Sequence, residues 1–210
     1  QQNGNLNPVL SDEQSLDFDY TFTSSNTCSD TQSGSLSIFP TLSATAGDSI
    51  HICEGTVKSL FVIPSGGSGS GYQYEWNNSE LLDDNAIQDP SLSQNIQVGI
   101  YDFAVTLSDP DAFNCSVSDI QTVEVAEQPE VEILFEPDVF CVGTPLTMYT
   151  NITGGIGQDS IVWGEDEFNA DAPDTLFTKP ILQIREIEVD VNFDTNTGCE
   201  NQTTLVNLFP

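Results

Sequence analysis

Basic side chains are almost missing: Lys58, Lys179 and Arg185 stand against 33 acidic residues in a chain of 210, a formal charge of −30. Phosphate contacts need clustered lysine and arginine, so the balance excludes nucleic-acid binding and docking on anionic lipid headgroups. Any electrostatic partner is a cation. Long apolar runs are missing too. None approaches the ~18 residues of a spanning helix, and direct membrane insertion is not expected. The single histidine, His51, and the absence of Cys-x-x-Cys or of paired Cys and His spacings remove zinc-thiolate sites. No Lys-led leader opens the chain, so an export signal is expected to have been removed or to lie outside it.

Apolar residues, 38% of the chain, are enough to bury a core, and there are five cysteines. Without metal-binding spacings these point to disulfides, and so to an oxidising, extracellular, cell-surface setting. The odd number leaves one cysteine without a partner inside the chain.

The cysteines anchor an internal repeat. Residues 52–76, ICEGTVKSLFVIPSGGSGSGYQYEW, and 140–163, FCVGTPLTMYTNITGGIGQDSIVW, each carry Cys-x-Gly-Thr, a Gly-Gly pair and a tryptophan. These are Cys53, Gly55, Thr56, Gly66, Gly67 and Trp76, then Cys141, Gly143, Thr144, Gly154, Gly155 and Trp163. A second motif occurs three times: FDYTFTSSNTC ending at Cys28, YDFAVTLSDPDAFNC ending at Cys115 and IEVDVNFDTNTGC ending at Cys199. Equivalent cysteines recur about every 85 residues. One repeat is therefore expected over residues 41–127 and another over 128–210, with 1–40 the back half of a third. On that scheme Cys53 pairs with Cys115 and Cys141 with Cys199, while Cys28 has its partner upstream of Gln1. A free thiol, or a bond between chains, is the alternative for Cys28. Each bond would close a loop of about 60 residues and stabilise its repeat by about 4 kcal/mol on the chain-entropy account.

Alternation dominates the rest. Tyr101, Phe103, Val105 and Leu107 share one strand face, and Ile187, Val189, Val191 and Phe193 share another. Turn signals such as Ser108-Asp109-Pro110-Asp111 separate the strands, and no stretch has convincing helical periodicity. Roughly seven short strands per repeat, with a tryptophan between two cysteines, read as all-β, tandem immunoglobulin-like β-sandwiches in an elongated array. In antibody-type domains the second cysteine follows a corner tyrosine closely inside the strand. Here Cys115 lies in the hairpin beyond the strand of Tyr101, so the bond is expected to reach a hairpin tip rather than cross the sandwich.

This order of motifs resembles the polycystic-kidney-disease-like and related immunoglobulin-like repeats of very large secreted surface adhesins of Bacteroidota, the gliding-motility adhesin SprB and other type IX secretion cargo among them. The resemblance covers essentially the whole chain. It implies a non-enzymatic stalk whose partners are neighbouring repeats, surface glycans or other cell-surface proteins. The second copy lacks the Tyr-rich segment, carrying Asp159-Ser160-Ile161-Val162 in its place.

Several residues are candidate sites. Asp109 with Asp111, Asp83 with Asp84, and the run Glu165, Asp166, Glu167 could offer oxygen ligands to Ca2+, although such clusters are ordinarily solvated surface and none follows the twelve-residue helix-loop calcium pattern. Paired carboxylates occur by chance among so many acids, and His51 has no evident nucleophile beside it, so no catalytic residue is expected. Ser49, Ser160 and Thr175 sit in the Asp-Ser/Thr-apolar pattern used for O-glycosylation in the phylum resembled. Asn77, Asn114, Asn151 and Asn201 stand in Asn-x-Ser/Thr sequons, expected to be inert in a bacterium. Tyr72, Tyr74 and Trp76 alternate on one strand, either as a core face or as a sugar-stacking platform. Two alternatives to the stalk follow: a polymerising subunit completed by strand donation, and a carbohydrate-binding accessory module of a secreted hydrolase.

Overall fold

A computed structural model describes residues 14–164, 169–172, 175–177 and 183–209, without the side chains of 14, 169–172, 175–177 and 185. Strands β1 (Gln14–Thr23) and β2 (Ser29–Ile38) form an antiparallel hairpin. The first full sequence repeat contains β3 (Ser43–Ala46), β4 (Ile50–Cys53), β5 (Val62–Ser65), β6 (Gln73–Trp76), β7 (Gly99–Asp109) and β8 (Cys115–Ala126), in sheets ordered β3-β5 and β4-β8-β7-β6. The second contains β9 (Glu130–Glu136), β10 (Thr147–Thr153), β11 (Gln158–Trp163), β12 (Asn169–Ala172), β13 (Thr175–Phe177), β14 (Arg185–Phe193) and β15 (Gln202–Leu208), in sheets β12-β13-β10-β9 and β11-β14-β15. Among the described residues the one helical element is a 3-10 turn at Ser79–Leu81.

Period-2 alternation builds these strands, because successive side chains leave opposite faces of a pleated strand. On β7, Phe103, Val105 and Leu107 are fully buried while Ala104, Thr106 and Ser108 are half-buried. On β14, Ile187, Val189, Val191 and Phe193 are buried as the alternation predicts. β4 adds in parallel to the end of β8, with Ile50 opposite Val123 and Cys53 opposite Ala126.

By internal contacts the chain divides into two compact units, neither continuous in sequence. Unit 1 comprises Gln1–Gly47, Ser59–Ser91 and Phe103–Gln121; its buried residues include Leu60, Val62, Trp76, Phe103, Val105 and Leu107. Unit 2 comprises Asp48–Lys58, Leu92–Asp102 and Thr122–Pro210. Its core gathers Cys53, Ile133, Leu146, Met148, Trp163, Ile187, Val189, Val191, Phe193, Cys199 and Leu208.

The Gly-Gly pair has the same physical role in both repeats. Gly66 and Gly154 have φ of 77° and 68°, and a Cβ on either would collide with backbone preceding the repeat's first strands, at Thr41 and Gln128. The next glycine then donates its N–H to that same segment: Gly67 to the Pro40 carbonyl at 3.0 Å, Gly155 to that of Glu127 at 2.9 Å. Only a residue without a side chain tolerates both the left-handed turn and the close approach.

Candidate functional site

The described cysteines do not pair as expected. The disulfide joins Cys53 to Cys199, with Cα atoms 5.0 Å apart, and Cys28, Cys115 and Cys141 are free and exposed. Both expected bonds, Cys53 to Cys115 and Cys141 to Cys199, are corrected. Strand register supplies the reason for the first. Cys53 lies opposite Ala126 at the last residue of β8, whereas Cys115 is the first residue of that 12-residue strand. At about 3.3 Å per residue the two ends are roughly 36 Å apart, far beyond the Cα separation a disulfide spans. The bond does end on a hairpin tip, the Asp194–Asn201 turn between β14 and β15, but that hairpin belongs to the following sequence repeat.

A shell of hydrogen bonds seats the hairpin on the Cys-x-Gly-Thr turn. The Cys53 N–H donates to the Thr197 carbonyl at 2.9 Å, and the Thr56 hydroxyl donates to the Gly198 carbonyl at 3.3 Å. Lys58 reaches the Asn196 carbonyl at 3.4 Å. Gln128 bridges the two segments: its amide nitrogen donates to the Glu54 carbonyl at 2.8 Å, and its amide oxygen accepts the Glu200 N–H at 3.0 Å. Gly198, with φ of 66°, packs so closely on Thr56 that a Cβ there would overlap its side chain. Beside the bond, His51 on β4 lies 2.9 Å from the Glu124 carboxylate through Nδ1. Thr56, Lys58 and Gln128 were not expected as site residues from the sequence, although Thr56 carried a signal as the last residue of the repeated motif.

The acidic turns are occupied by backbone. Asp109 falls on the inward phase of β7 and is fully buried. Its carboxylate accepts the Ser68 N–H at 2.6 Å, the Ser68 hydroxyl at 2.9 Å, and the Asp111 and Ala112 N–H groups, each at 3.1 Å. Desolvation raises the Asp109 pKa, yet the bonds from Ser68, Ala112 and Asp111 outweigh it and hold the group below the usual carboxylate range. Asp83 accepts the Asp84 and Ser91 N–H groups at 2.8 and 2.7 Å, and Asp84 accepts that of Ala86 at 2.9 Å. These aspartates close turns. Among the described residues no three His, Cys, Asp or Glu side chains come together as a metal-holding group. Glu165, Asp166 and Glu167 lie outside the described residues.

The aromatic stripe takes the core-face alternative for its largest member, and the platform expectation is corrected there. Trp76 is buried, with Nε1 donating to the Ile87 carbonyl at 3.0 Å. Tyr72 and Tyr74 are half-buried; their hydroxyls meet the Gly66 carbonyl at 2.6 Å and the Gln88 side-chain oxygen at 3.4 Å. Burial, with Tyr72 and Asp89 nearby, pushes the Tyr74 pKa up. Ser49 is exposed between β3 and β4, whereas Ser160 lies within β11 and accepts the Asn192 amide at 3.2 Å. The Thr175 side chain lies outside those described, as do Lys179 and Pro180.

No family model matches the chain, and no curated protein matches it. Solved structures do. The first eight immunoglobulin domains of Down Syndrome Cell Adhesion Molecule superpose with a TM-score of 0.56 at 10% identity, over 91% of this chain and 35% of that one. Extracellular domains 3–5 of Drosophila OTK follow at 0.43 and 10%, covering 92% and 70% of the two chains, and titin domains I67–I69 at 0.44 and 13%, covering 84% and 68%. The chain thus spans about a third of the first of these, and at such identity the likeness concerns the fold alone. In fold, the chain is a tandem of immunoglobulin-like β-sandwich domains.

Proposed function

We propose that the chain is a non-catalytic stalk segment of a secreted cell-surface adhesin, in which a disulfide inside one compact unit ties two sequence repeats together. The observation that carries this reading is the Cys53–Cys199 bond, which joins the first-cysteine turn of one sequence repeat to the hairpin of the next. Tension on the chain then passes through sulfur and bypasses the residues between the two cysteines. The charge of −30 fits the same role, because like charges keep neighbouring repeats soluble and apart until salt screens them beyond about 10 Å. The repeats resembled in Bacteroidota adhesins supply the class, with neighbouring repeats as the first partners and surface glycans or proteins at a distal tip.

Single-molecule pulling tests this. The bond locks a sequence separation of 146 residues, which at about 3.5 Å each hides roughly 500 Å of contour length. That length is expected only after reduction with dithiothreitol; equal extensions with and without reductant overturn the bond's role in carrying tension. Saturable binding on a glycan array, lost on Tyr74→Ala, would instead favour the carbohydrate-binding module. Divalent-cation capture by the acidic surface belongs to the proposal as well, and is read as a rise in melting temperature with millimolar Ca2+ that Mg2+ does not reproduce.

One observation favours strand donation as a second reading. Phe18, Tyr20 and Phe22 of β1 are 57%, 63% and 59% exposed, while their sequence equivalents on β14, Val189, Val191 and Phe193, are 0%, 0% and 4% exposed. On β14 that face is covered by Leu146, Met148 and Trp163, so the occupant that fits β1 is the front half of a repeat of the same kind. Concentration-dependent dimers in light scattering, abolished by Phe18→Ser with Tyr20→Ser, support donation between copies.

A further inference from the structure

We infer that the Cys-x-Gly-Thr turn at Cys141 is a docking site for a Gly-Cys hairpin of the kind residues 194–199 present, supplied by a further repeat of this type and closed by a disulfide. The inference rests on the tandem-repeat reading and not on the adhesin role. Cys141, Gly143 and Thr144 occupy the places of Cys53, Gly55 and Thr56, and the two turns share their geometry. Gly55 and Gly143 have φ of 84° and 87°, and the threonine N–H bonds the cysteine carbonyl at 3.3 Å in one and 3.0 Å in the other.

What differs is what the turn's polar groups face. At Cys53 the cysteine N–H and the threonine hydroxyl are both engaged by hairpin carbonyls, those of Thr197 and Gly198. At Cys141 the same two groups satisfy each other: the Cys141 N–H donates to the Thr144 hydroxyl at 3.3 Å. Burial differs in parallel. Ile52 and Cys53 are fully buried, whereas Cys141 is exposed between Val139 and Val142, which are 82% and 63% exposed. A free thiol that is exposed where its counterpart in the sister repeat is buried, with two large exposed apolar residues beside it, marks a surface that something covers. The sister repeat shows what: a hairpin tip whose backbone carbonyls, rather than side chains, make the contacts.

The hairpin side is repeated as well. In each of the three hairpins the residue before the cysteine is left-handed: Thr27 at φ 67°, Asn114 at 56° and Gly198 at 66°. Only Gly198 lacks the Cβ that would overlap Thr56, so the site discriminates in favour of Gly-Cys over Asn-Cys or Thr-Cys. Closure needs an oxidant, and glutathione disulfide serves. The Cys141 thiolate attacks it and expels one glutathione thiolate; the hairpin thiolate then attacks the Cys141 sulfur and expels the second. Two thiols thus become one protein disulfide, and one glutathione disulfide becomes two glutathiones.

The test uses the full 210-residue chain in a glutathione redox buffer with a synthetic peptide of residues 185–208, which carries Cys199, followed by mass mapping of the attached thiols. The peptide is expected on Cys141 in about tenfold preference over Cys28 and Cys115, the ratio that roughly 1.4 kcal/mol of docking yields. The same peptide with alanine at the position of Gly198 is expected to lose that preference. Even distribution over the three exposed thiols, or a preference unmoved by the alanine, overturns the inference. Because the substitution sits in the peptide, folding of the chain is not at stake. The chain incubated without peptide identifies the source: oligomers mapped to a Cys141–Cys199 link with Cys53 released place the hairpin in a second copy, and a monomer that still takes the peptide places it in a further repeat.

Discussion

The Asp109 carboxylate accepts the Ser68 N–H at 2.6 Å, tying the end of β7 to a turn 41 residues earlier in the sequence. Because the bond favours the charged form, its stability contribution depends on pH. The folded pKa lies below the unfolded one of about 3.9, so the contribution is complete above the unfolded value and is lost as pH falls through the folded one. Melting temperature measured against pH should fall in that acid window for the native chain and fall less for Asp109→Asn. At neutral pH, Asp109→Ala should destabilise more than Asp109→Asn, since it takes the acceptor from three backbone N–H groups, those of Ser68, Asp111 and Ala112.

Removing the Cys53–Cys199 bond, by reductant or by Cys53→Ser, should cost about 5 kcal/mol on the chain-entropy account for a loop of 146 residues. Cys115→Ser and Cys141→Ser, both at exposed free thiols, should stay within ~0.5 kcal/mol of the native chain. Denaturant unfolding of the set decides it. A large cost at Cys115 would restore the pairing expected from the repeat arithmetic.

Trp76→Ala should destabilise by about 3–5 kcal/mol, because it empties a fully buried site and strands the Ile87 carbonyl. Trp76→Phe should cost less, retaining most of the apolar volume while losing the Nε1 bond. A sugar platform would show the reverse pattern, with little effect on unfolding and a large one on binding.

Two glycines separate backbone strain from collision. Gly69 is left-handed at φ 79° with open space around its Cβ position, so Gly69→Ala should cost about 1–2 kcal/mol for conformation alone. Gly66→Ala adds the overlap with Thr41 and should cost more. Equal values by chemical denaturation would mean that the Thr41 segment yields freely.

Replacing Phe18 and Tyr20 on β1 with serine should abolish binding of a hydrophobic dye without lowering the melting temperature, because both side chains are exposed. The matching pair on β14, Val189→Ser with Val191→Ser, should unfold the protein, because both are fully buried.

Much of the architecture was legible because it is local. Alternation at Phe103, Val105 and Leu107 and at Val189, Val191 and Phe193 states which face is inward, whatever lies opposite. The Gly-Gly pairs and the buried tryptophans repeat because each repeat meets the same steric problem at the same place. The same alternation hid Asp109, whose inward phase looked like a turn signal until the donors of Ser68, Asp111 and Ala112 were brought to it.

By itself the sequence determined the strand pattern, the repeat period and the acidic surface, since each follows from residues near one another in the chain. Which cysteine Cys53 meets was decided only by tertiary structure. Repeat arithmetic leaves Cys115 and Cys199 equivalent, but parallel pairing of β4 sets Cys53 at the far end of β8 from Cys115, within 5.0 Å of the Cys199 Cα. A disulfide reaches only a few ångströms, so register rather than motif chose the partner.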